Sequence, residues 1–165
     1  GLGAIILDNH HLKYLFGKVT MYPHFNQKAR NMILYFLKRH FDDPDRMVVP
    51  LEPANIDLHE DEMKKIFRGW RYKDNYKILS REVRNLNENI PPLINAYMNL
   101  SPTMRTFGTF INHKFGNVEE TGIMITLRDI YIEKINRHLA SYKKDFLITW
   151  FSHKDQKALS FLPSI

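Results

Sequence analysis

The 165-residue chain carries 24 Lys and Arg against 18 Asp and Glu, a formal net charge of +6, and its hydrophobic content is 44%. That length favours one domain with a real core, and the aromatic content of 13% argues against disorder. Because the chain has no cysteine, disulfides, thiolate metal sites and a cysteine nucleophile are excluded. The sequence also has no P-loop, dinucleotide-binding or nucleophile-elbow motif and no clear zinc pattern, so we predict no metal site and no permanently bound cofactor.

The first elements along the chain are a helix end, a strand and a long helix. Residues 1–11 have the pattern of a helix end, since apolar residues precede Asp8 and Asn9 and no cap comes before them, so we expect a segment upstream. Residues 14–21, YLFGKVTM, are a strand candidate, and Asn26 is placed to cap a helix. Apolar residues then recur at helical spacing, at Ala29, Met32, Ile33, Phe36 and Leu37.

A helical stretch follows this long helix. Residues 42–55 form a connector, because three prolines break any regular element there. We predict a short helix over residues 57–70, with Asp57 as its cap and Trp70 in its apolar stripe, and a longer helix over residues 73–89. A third helix begins at the double proline that comes next.

The last part of the chain returns to strands. Residues 107–111 and the apolar run at residues 122–127 are strand candidates, and Gly116-Asn117 between them predicts a hairpin. Asp129 is placed to cap a final helix. Three strands make a thin sheet with an exposed edge, so we expect that edge to pair with another copy or to be covered by the tail stretch FLITWF.

Four residues with chemical potential stand out before any family is considered. His113 lies at a strand end, a common place for a site, although an exposed hairpin histidine is the simpler interpretation. Tyr35 lies on the long helix and could act as an acid, but a helical tyrosine is more often half-buried core. Glu119 and Glu120 are adjacent in a strand, so their side chains point to opposite faces and only one would enter a given cleft.

Three stretches together resemble a known family. They are YLFGKVTMY, FNQKARNMILYFL and IPPLINAYMNLSPTMRTFGTFINHKFGNVEETGIMITL. They are similar to the hemolysin-like acyltransferases of bacteria, members of the GNAT superfamily that are related to the N-acyltransferases of ornithine-lipid and glycine-lipid synthesis. The resemblance implies an α+β fold with a splayed mixed sheet. Residues 1–145 would form the C-terminal part of a GNAT-like domain with a helical insert at about 50–102, followed by a tail at 146–165.

The resemblance also implies an activity. Such an enzyme moves a fatty acyl group from acyl carrier protein or acyl-CoA to a small amine, such as an amino acid, in lipid synthesis. The donor would lie where two parallel strands part, against Val19, Met21, Tyr22 and Asn26. The loop that holds the donor pyrophosphate would precede residue 1, so we expect the fragment alone to be inactive.

The family pattern nominates Glu120, Glu119, His113 and Tyr35 as catalytic candidates. Many relatives carry an Asp just before the glycine that corresponds to Gly122. Here Thr121 takes that position, and Glu120 comes one residue earlier. The family also has an Asn-x-x-Ala helix start with a Tyr seven residues after the Asn. Asn26 matches that start, but Ile33 takes the tyrosine position and Tyr35 comes two residues later.

The partners remain open to more than one interpretation. Lys18, Lys28 and Arg30 would suit an acidic carrier protein or anionic lipid, or they are a solvated helix surface. The basic residues do not form a block, so we expect no nucleic-acid partner. The absence of cysteine fits a reduced, intracellular setting, so we expect a cytoplasmic protein. Contact with the inner membrane face and a homo-oligomer through the exposed sheet edge stay open. The alternatives are a non-catalytic GNAT-like module that binds a carrier protein or an anionic membrane, and a basic nucleic-acid module.

Overall fold

The computed structural model describes residue 9 and residues 11–139, with side chains described as far as residue 135. The predicted helix end before residue 9 and the tail after residue 139 lie outside this part. The described strands are β1 (Tyr14–Met21), β2 (Arg105–Asn112) and β3 (Val118–Thr126). The described helices are α1 (Gln27–Phe41), α2 (Glu60–Ile66), α3 (Tyr72–Asn85), α4 (Pro92–Met98) and α5 (Ile132–Leu139).

These elements confirm the predicted α+β class. The strands form an antiparallel sheet in the order β1-β3-β2, so β3 is the central strand. β2 and β3 are joined by the predicted hairpin, in which Gly116 and Asn117 both adopt left-handed backbone angles, with φ of 69° and 56°. Helices α2, α3 and α4 come between α1 and β2 in the chain, within the range predicted for the insert.

Helix α1 packs against one face of the sheet and forms the centre of the core. Val19 and Met21 of β1 and Ile123 and Ile125 of β3 belong to the same buried cluster as this helix. Because side chains alternate along a strand, the residues between them point to the opposite face. On that face the rings of Phe16 and Phe107 stack with centroids 5.7 Å apart over Gly122, where an added Cβ would lie only 3.3 Å from Phe107.

The two ends of α2 differ from the sequence predictions. Asp57 does not cap α2; its carboxylate accepts the backbone N–H of His59, and the helix begins at Glu60. The helix ends at Ile66 instead of continuing to Trp70, which is 99% exposed and contributes nothing to an apolar stripe. The chain leaves the helix here because side chains from other helices take up its backbone groups.

Asn75 and Arg39 hold the turn between α2 and α3. The side-chain amide of Asn75 accepts the N–H of Gly69 and donates to the carbonyl of Gly69, both at 3.0 Å. An added Cβ at Gly69 would lie 2.7 Å from the Asn75 oxygen, so only glycine permits this close approach. Arg39 donates to the carbonyls of Phe67 and Gly69, at 2.7 and 3.3 Å.

The last helix also starts later than predicted. Asp129 does not cap it but ends a short 3₁₀ turn, where its carboxylate accepts the hydroxyl of Thr103 at 2.6 Å. α5 begins at Ile132, after this turn.

The two edges of the sheet differ. β2 is covered on its outer edge, where Ala54 donates to the carbonyl of Thr109 at 2.8 Å and Asp42 bridges Thr106. β1 has no partner on its outer edge among the described residues. The predicted covering stretch FLITWF lies outside the described residues, so the proposed protection of this edge stays a prediction.

We expect Asn26→Ala to lower the free energy of unfolding by about 1 kcal/mol. The Asn26 side chain accepts the backbone N–H groups of Lys28 and Ala29, at 3.0 and 3.1 Å, which helix geometry otherwise leaves unpaired. Urea denaturation would measure the loss. Asn26→Asp, which keeps the acceptor, should retain most of the stability, and equal losses in both variants would contradict this explanation.

We expect His40 to make the fold less stable as the pH falls. Burial, with the neighbouring Arg39 charge, lowers the pKa of His40 below 6.5. Its ring nitrogen Nε2 lies 3.2 Å from the Asn75 amide nitrogen, which is a donor because the amide oxygen faces the Gly69 N–H, so His40 is neutral when folded. The unfolded chain then binds the extra proton, and the contribution is present above about pH 6.5 and is lost as the pH falls toward the folded pKa.

The measurement is the free energy of unfolding at about pH 7.5 and at lower pH, down to about 5, for the wild type and His40→Gln. Glutamine can still accept from Asn75 but does not titrate in this window. The variant should lose part of the wild-type pH dependence. An unchanged slope would show that the destabilisation comes from other groups.

Candidate active site

A polar cluster lies on the sheet face opposite α1, near the β2–β3 hairpin. Glu120 comes from the central strand β3, Lys18 from β1 and Asn112 from the end of β2. Since Glu120 pairs with Thr20 on one side and with Phe110 on the other, residues two positions along those strands reach it diagonally. The sheet register therefore brings together three side chains from distant parts of the sequence.

The geometry of this cluster centres on one carboxylate oxygen. Glu120 Oε2 accepts from Lys18 Nζ at 2.7 Å and from Asn112 Nδ2 at 3.3 Å. The Glu120 side chain is 2% exposed, whereas that of Lys18 is 54% exposed. A buried carboxylate thus lies beside an ammonium group that still reaches solvent.

Glu119 takes part in a separate network on the α1 face. Its Oε1 lies 2.5 Å from Arg30 Nη1, while Arg30 also donates to Asn31 Oδ1 at 3.0 and 2.8 Å. Asn31 in turn donates to the carbonyl of Asp57 at 3.0 Å. The two glutamates face opposite sides of the sheet, as their spacing predicts. These hydrogen bonds tie β3, α1 and the segment before α2 together. Glu119 Oε2 is buried without a hydrogen-bond partner among the described residues.

The other two catalytic candidates lie apart from Glu120. Tyr35 is buried on α1, where its ring stacks on Phe67 with centroids 5.5 Å apart, on the opposite side of the sheet from Glu120. His113 is exposed in the hairpin, and its Nδ1 lies 2.8 Å from Asn117 Oδ1. It follows Asn112, a member of the Glu120 cluster, directly in the chain.

The free edge of β1 is formed by alternate residues. Leu127 donates to the carbonyl of Lys13, which places that pair among the hydrogen-bonded pairs of the antiparallel ladder. Because such pairs alternate, the backbone groups of Lys18 and Thr20 point away from β3, toward the free edge. Lys18 therefore presents its backbone to this edge and its side chain to Glu120.

Val19 and Met21 are placed differently. Their side chains are buried against α1, at 1% and 2% exposure, and the same alternation turns their backbone groups toward β3. This placement does not favour the donor contact predicted for them. Their neighbours Lys18 and Thr20 occupy the free edge instead.

The corner after β1 holds the remaining predicted donor-binding residues. Phe25 donates to the carbonyl of Tyr22 at 2.9 Å and closes a turn. The exposed Tyr22 ring stacks on His24 with centroids 5.7 Å apart. Asn26 uses its side chain for the α1 cap, and its backbone N–H donates to Glu88 at 2.9 Å. Tyr22 is thus accessible at this corner, together with Pro23 and His24.

Sequence reasoning missed the pairing of Lys18 with Glu120 and the role of Asn112. It treated Lys18 only as a surface cation and gave Asn112 no part in a site. The hairpin signal at Gly116-Asn117 could have placed Asn112 near Glu120, because counting back from a turn gives the register of a hairpin. The contact of Lys18 depends on the β1–β3 pairing, which joins residues 102 positions apart and has no local signal.

Two absences among the described residues bear on the class of site. No group of three or more His, Asp or Glu side chains in this part of the chain is arranged to hold a metal ion. None of the helices in this part is both long and apolar enough to cross a membrane.

Comparisons with known proteins give two curated relatives. One, from Bacteroides thetaiotaomicron, is named glycine N(alpha)-acyltransferase and is 51% identical over 142 residues, covering 86% of this chain and 42% of the relative. The other, from Phocaeicola vulgatus, has the same name and is 50% identical over 144 residues, covering 87% of this chain and 44% of the relative. No family model and no solved structure matches the chain. The chain thus spans less than half the length of these relatives and is similar, over most of its own length, to part of two proteins named as acyltransferases.

Proposed function

We propose that this chain is part of an enzyme that transfers a fatty acyl group from a thioester to the amino group of glycine. The observation that carries the proposal is the identity of about half over 142 and 144 residues with two proteins named glycine N(alpha)-acyltransferase. Because the chain spans 42% and 44% of those proteins, other parts of the enzyme would complete the site. The GNAT-like relationship and the role in lipid synthesis belong to the same proposal.

The reaction needs a neutral amine and a held thioester. The glycine ammonium loses a proton, its nitrogen attacks the thioester carbonyl carbon, and a tetrahedral oxyanion forms. The nitrogen gives up a second proton, and the oxyanion collapses to the amide as the C–S bond breaks. The departing thiolate takes up one proton and becomes the free thiol. One proton is released overall. The donor would be acyl carrier protein or acyl-CoA, and no permanently bound cofactor is required.

The Glu120 cluster suits a zwitterionic acceptor such as glycine. We assign Lys18 to the acceptor carboxylate, because its ammonium group is half exposed and already oriented by Glu120 at 2.7 Å. Glu120 would orient the acceptor amine and take its proton directly or through a water molecule. Asn112 fixes the carboxylate through its 3.3 Å hydrogen bond. His113 stays a candidate because it lies on the same hairpin.

The free edge of β1 suits the donor. CoA and the prosthetic arm of a carrier protein contain amide groups, which can pair with a strand edge as another strand would. Lys18 and Thr20 present backbone groups there that have no partner in the described part of the chain, and the Lys18 side chain reaches Glu120 from the same residue. A donor on this edge would bring its thioester close to the proposed acceptor position. Tyr22 at the corner would border the same path.

A second candidate function rests on the burial of Glu120. A carboxylate that is 2% exposed and covered by Lys18 is also what a purely structural ion pair looks like. In that case the chain would belong to a non-catalytic module that binds a carrier protein or an anionic membrane. The proposed enzyme and this module differ in the response of turnover to substitution at Glu120.

We expect Glu120→Gln in the full-length protein to lower kcat/KM for glycine acylation by about 100-fold or more, because glutamine cannot accept the amine proton. The assay follows N-acylglycine by mass spectrometry with a fatty acyl-CoA or acyl carrier protein donor. Glu119→Gln is the matched control from the opposite face of the same strand. It should change stability more than turnover, since it weakens the contact with Arg30.

Three outcomes of this assay separate the hypotheses. Loss of turnover in Glu120→Gln, with a stable fold and an active Glu119→Gln, supports the assigned role. An active Glu120→Gln removes that role while leaving the acyl transfer. No N-acylglycine from the wild type with either donor contradicts the proposed function and favours the module.

We expect residues 1–165 alone to form no N-acylglycine, because they correspond to less than half of each relative. The same assay compares this fragment with the full-length protein at equal concentration. Turnover by the fragment would show that this part of the chain contains a complete donor and acceptor site.

A further inference from the structure

The turn between α2 and α3 presents an amphipathic group of side chains to solvent. We define the Trp70 segment as Arg68, Trp70, Arg71 and Lys73. Trp70 is 99% exposed, and the three basic residues are exposed as well. A tryptophan so exposed is unusual, because moving its large apolar ring out of water lowers the free energy.

The backbone of this segment is fixed. The Asn75 side-chain amide hydrogen-bonds to both the N–H and the carbonyl of Gly69, and Arg39 donates to the carbonyls of Phe67 and Gly69. Asn75 and Phe67 are themselves buried at 0% and 1% exposure. The protrusion of Trp70 is therefore built into the turn, and its exposure does not result from a loosely held loop.

The positive charges of this segment are not neutralised by ion pairs. Arg68, Arg71 and Lys73 form no salt bridge with any carboxylate of the described residues, and Arg68 donates only to the carbonyl of Lys65. Three cations less the neighbouring Asp74 leave a net charge of +2 over residues 68–74.

The cations that the sequence suggested for an anionic partner are different. Lys18, Lys28 and Arg30 are paired with Glu120, Glu62 and Glu119, at 2.7, 2.8 and 2.5 Å. Of these two groups of cations, the one without ion-pair partners among the described residues is therefore the Trp70 segment.

We propose that the Trp70 segment binds the surface of an anionic lipid bilayer. Tryptophan favours the bilayer interface, where its ring meets the apolar boundary and its N–H meets the headgroups, and nearby Arg and Lys are attracted to anionic lipids. A protruding ring can insert between headgroups, whereas a protein partner would need a matching pocket. This inference does not depend on the proposed acyl transfer.

The Trp70 segment is remote from the candidate active site. Arg39, which holds the segment, lies in the last turn of α1, while Arg30, which contacts Glu119, lies in the first turn. Nine residues of helix separate the two by about 14 Å along its axis. Substitutions in the exposed segment should therefore leave the Glu120 cluster intact.

The test is flotation of the full-length protein with vesicles of phosphatidylcholine alone or of phosphatidylcholine with phosphatidylglycerol. Wild type should bind the anionic vesicles, less tightly in about 0.5 M than in about 0.1 M salt. Arg68→Gln combined with Arg71→Gln should weaken binding roughly 25-fold, at about fivefold per basic residue. Trp70→Ala should weaken it by about tenfold and leave the salt dependence unchanged.

Two matched controls accompany these variants. Arg81→Gln combined with Arg84→Gln removes two exposed charges near the other end of α3, and Phe115→Ala removes an exposed aromatic ring from the hairpin. Both controls should bind like wild type, and thermal unfolding verifies that every variant is folded. The proposal is overturned if the Trp70 segment variants bind like wild type. It is also overturned if the wild type fails to bind anionic vesicles. Binding of acyl carrier protein that depends on Arg68 and Arg71, without binding of vesicles, would be one such result.

Discussion

The packing of α1 on one face of the sheet is the constraint on which the rest of the structure depends. Ala29, Ile33, Phe36 and Leu37 are at most 1% exposed, because the sheet lies on one side of the helix and the helical insert on the other. Burial of four such side chains stabilises the fold by several kcal/mol, roughly 1.5–3 kcal/mol for each large apolar one. The helix thus fixes α2 and α3 relative to the sheet, and the hydrogen bond from Ala54 to Thr109 adds a direct contact between the segment before α2 and the sheet.

This packing also decides which chemical groups meet. Once α1 covers one face of β3, Glu119 belongs to the helix face and Glu120 to the other. Glu119 is then committed to Arg30, an interaction that secures the helix on the sheet. Glu120 is left to Lys18 and Asn112, on the face that α1 does not cover. Two adjacent acids of one strand thereby acquire different environments, and only one of them has a half-exposed cation beside it.

The same reasoning separates the cations into two classes. Those near the start of α1 neutralise carboxylates and contribute to the fold, although the exposed pair of Lys28 and Glu62 contributes little. Those around Trp70 have no such partners in the described part of the chain. A net charge of +6 gives no indication of this division, because it depends on which side chains the folded backbone brings within reach. The proposed acyl transfer and the proposed membrane contact accordingly use different parts of the fold, the uncovered face of the sheet and the turn between α2 and α3.

The sequence by itself determined the alternation of helices and strands, the β2–β3 hairpin, the capped start of α1 and the opposite orientation of Glu119 and Glu120, because each depends on local spacing or turn chemistry. Tertiary structure decided what Asp57, Trp70 and Val19 do. Asp57 does not cap α2, because its carboxylate accepts the N–H of His59 while its carbonyl is held by Asn31 of α1. Trp70 is exposed because Asn75 and Arg39 hold the chain in a turn after α2 ends. Val19 lies in the core because α1 packs against that face of β1. The contact of Lys18 with Glu120 was equally beyond sequence reasoning, since it needs two strands 102 residues apart to pair in one register, and no local preference specifies such a register.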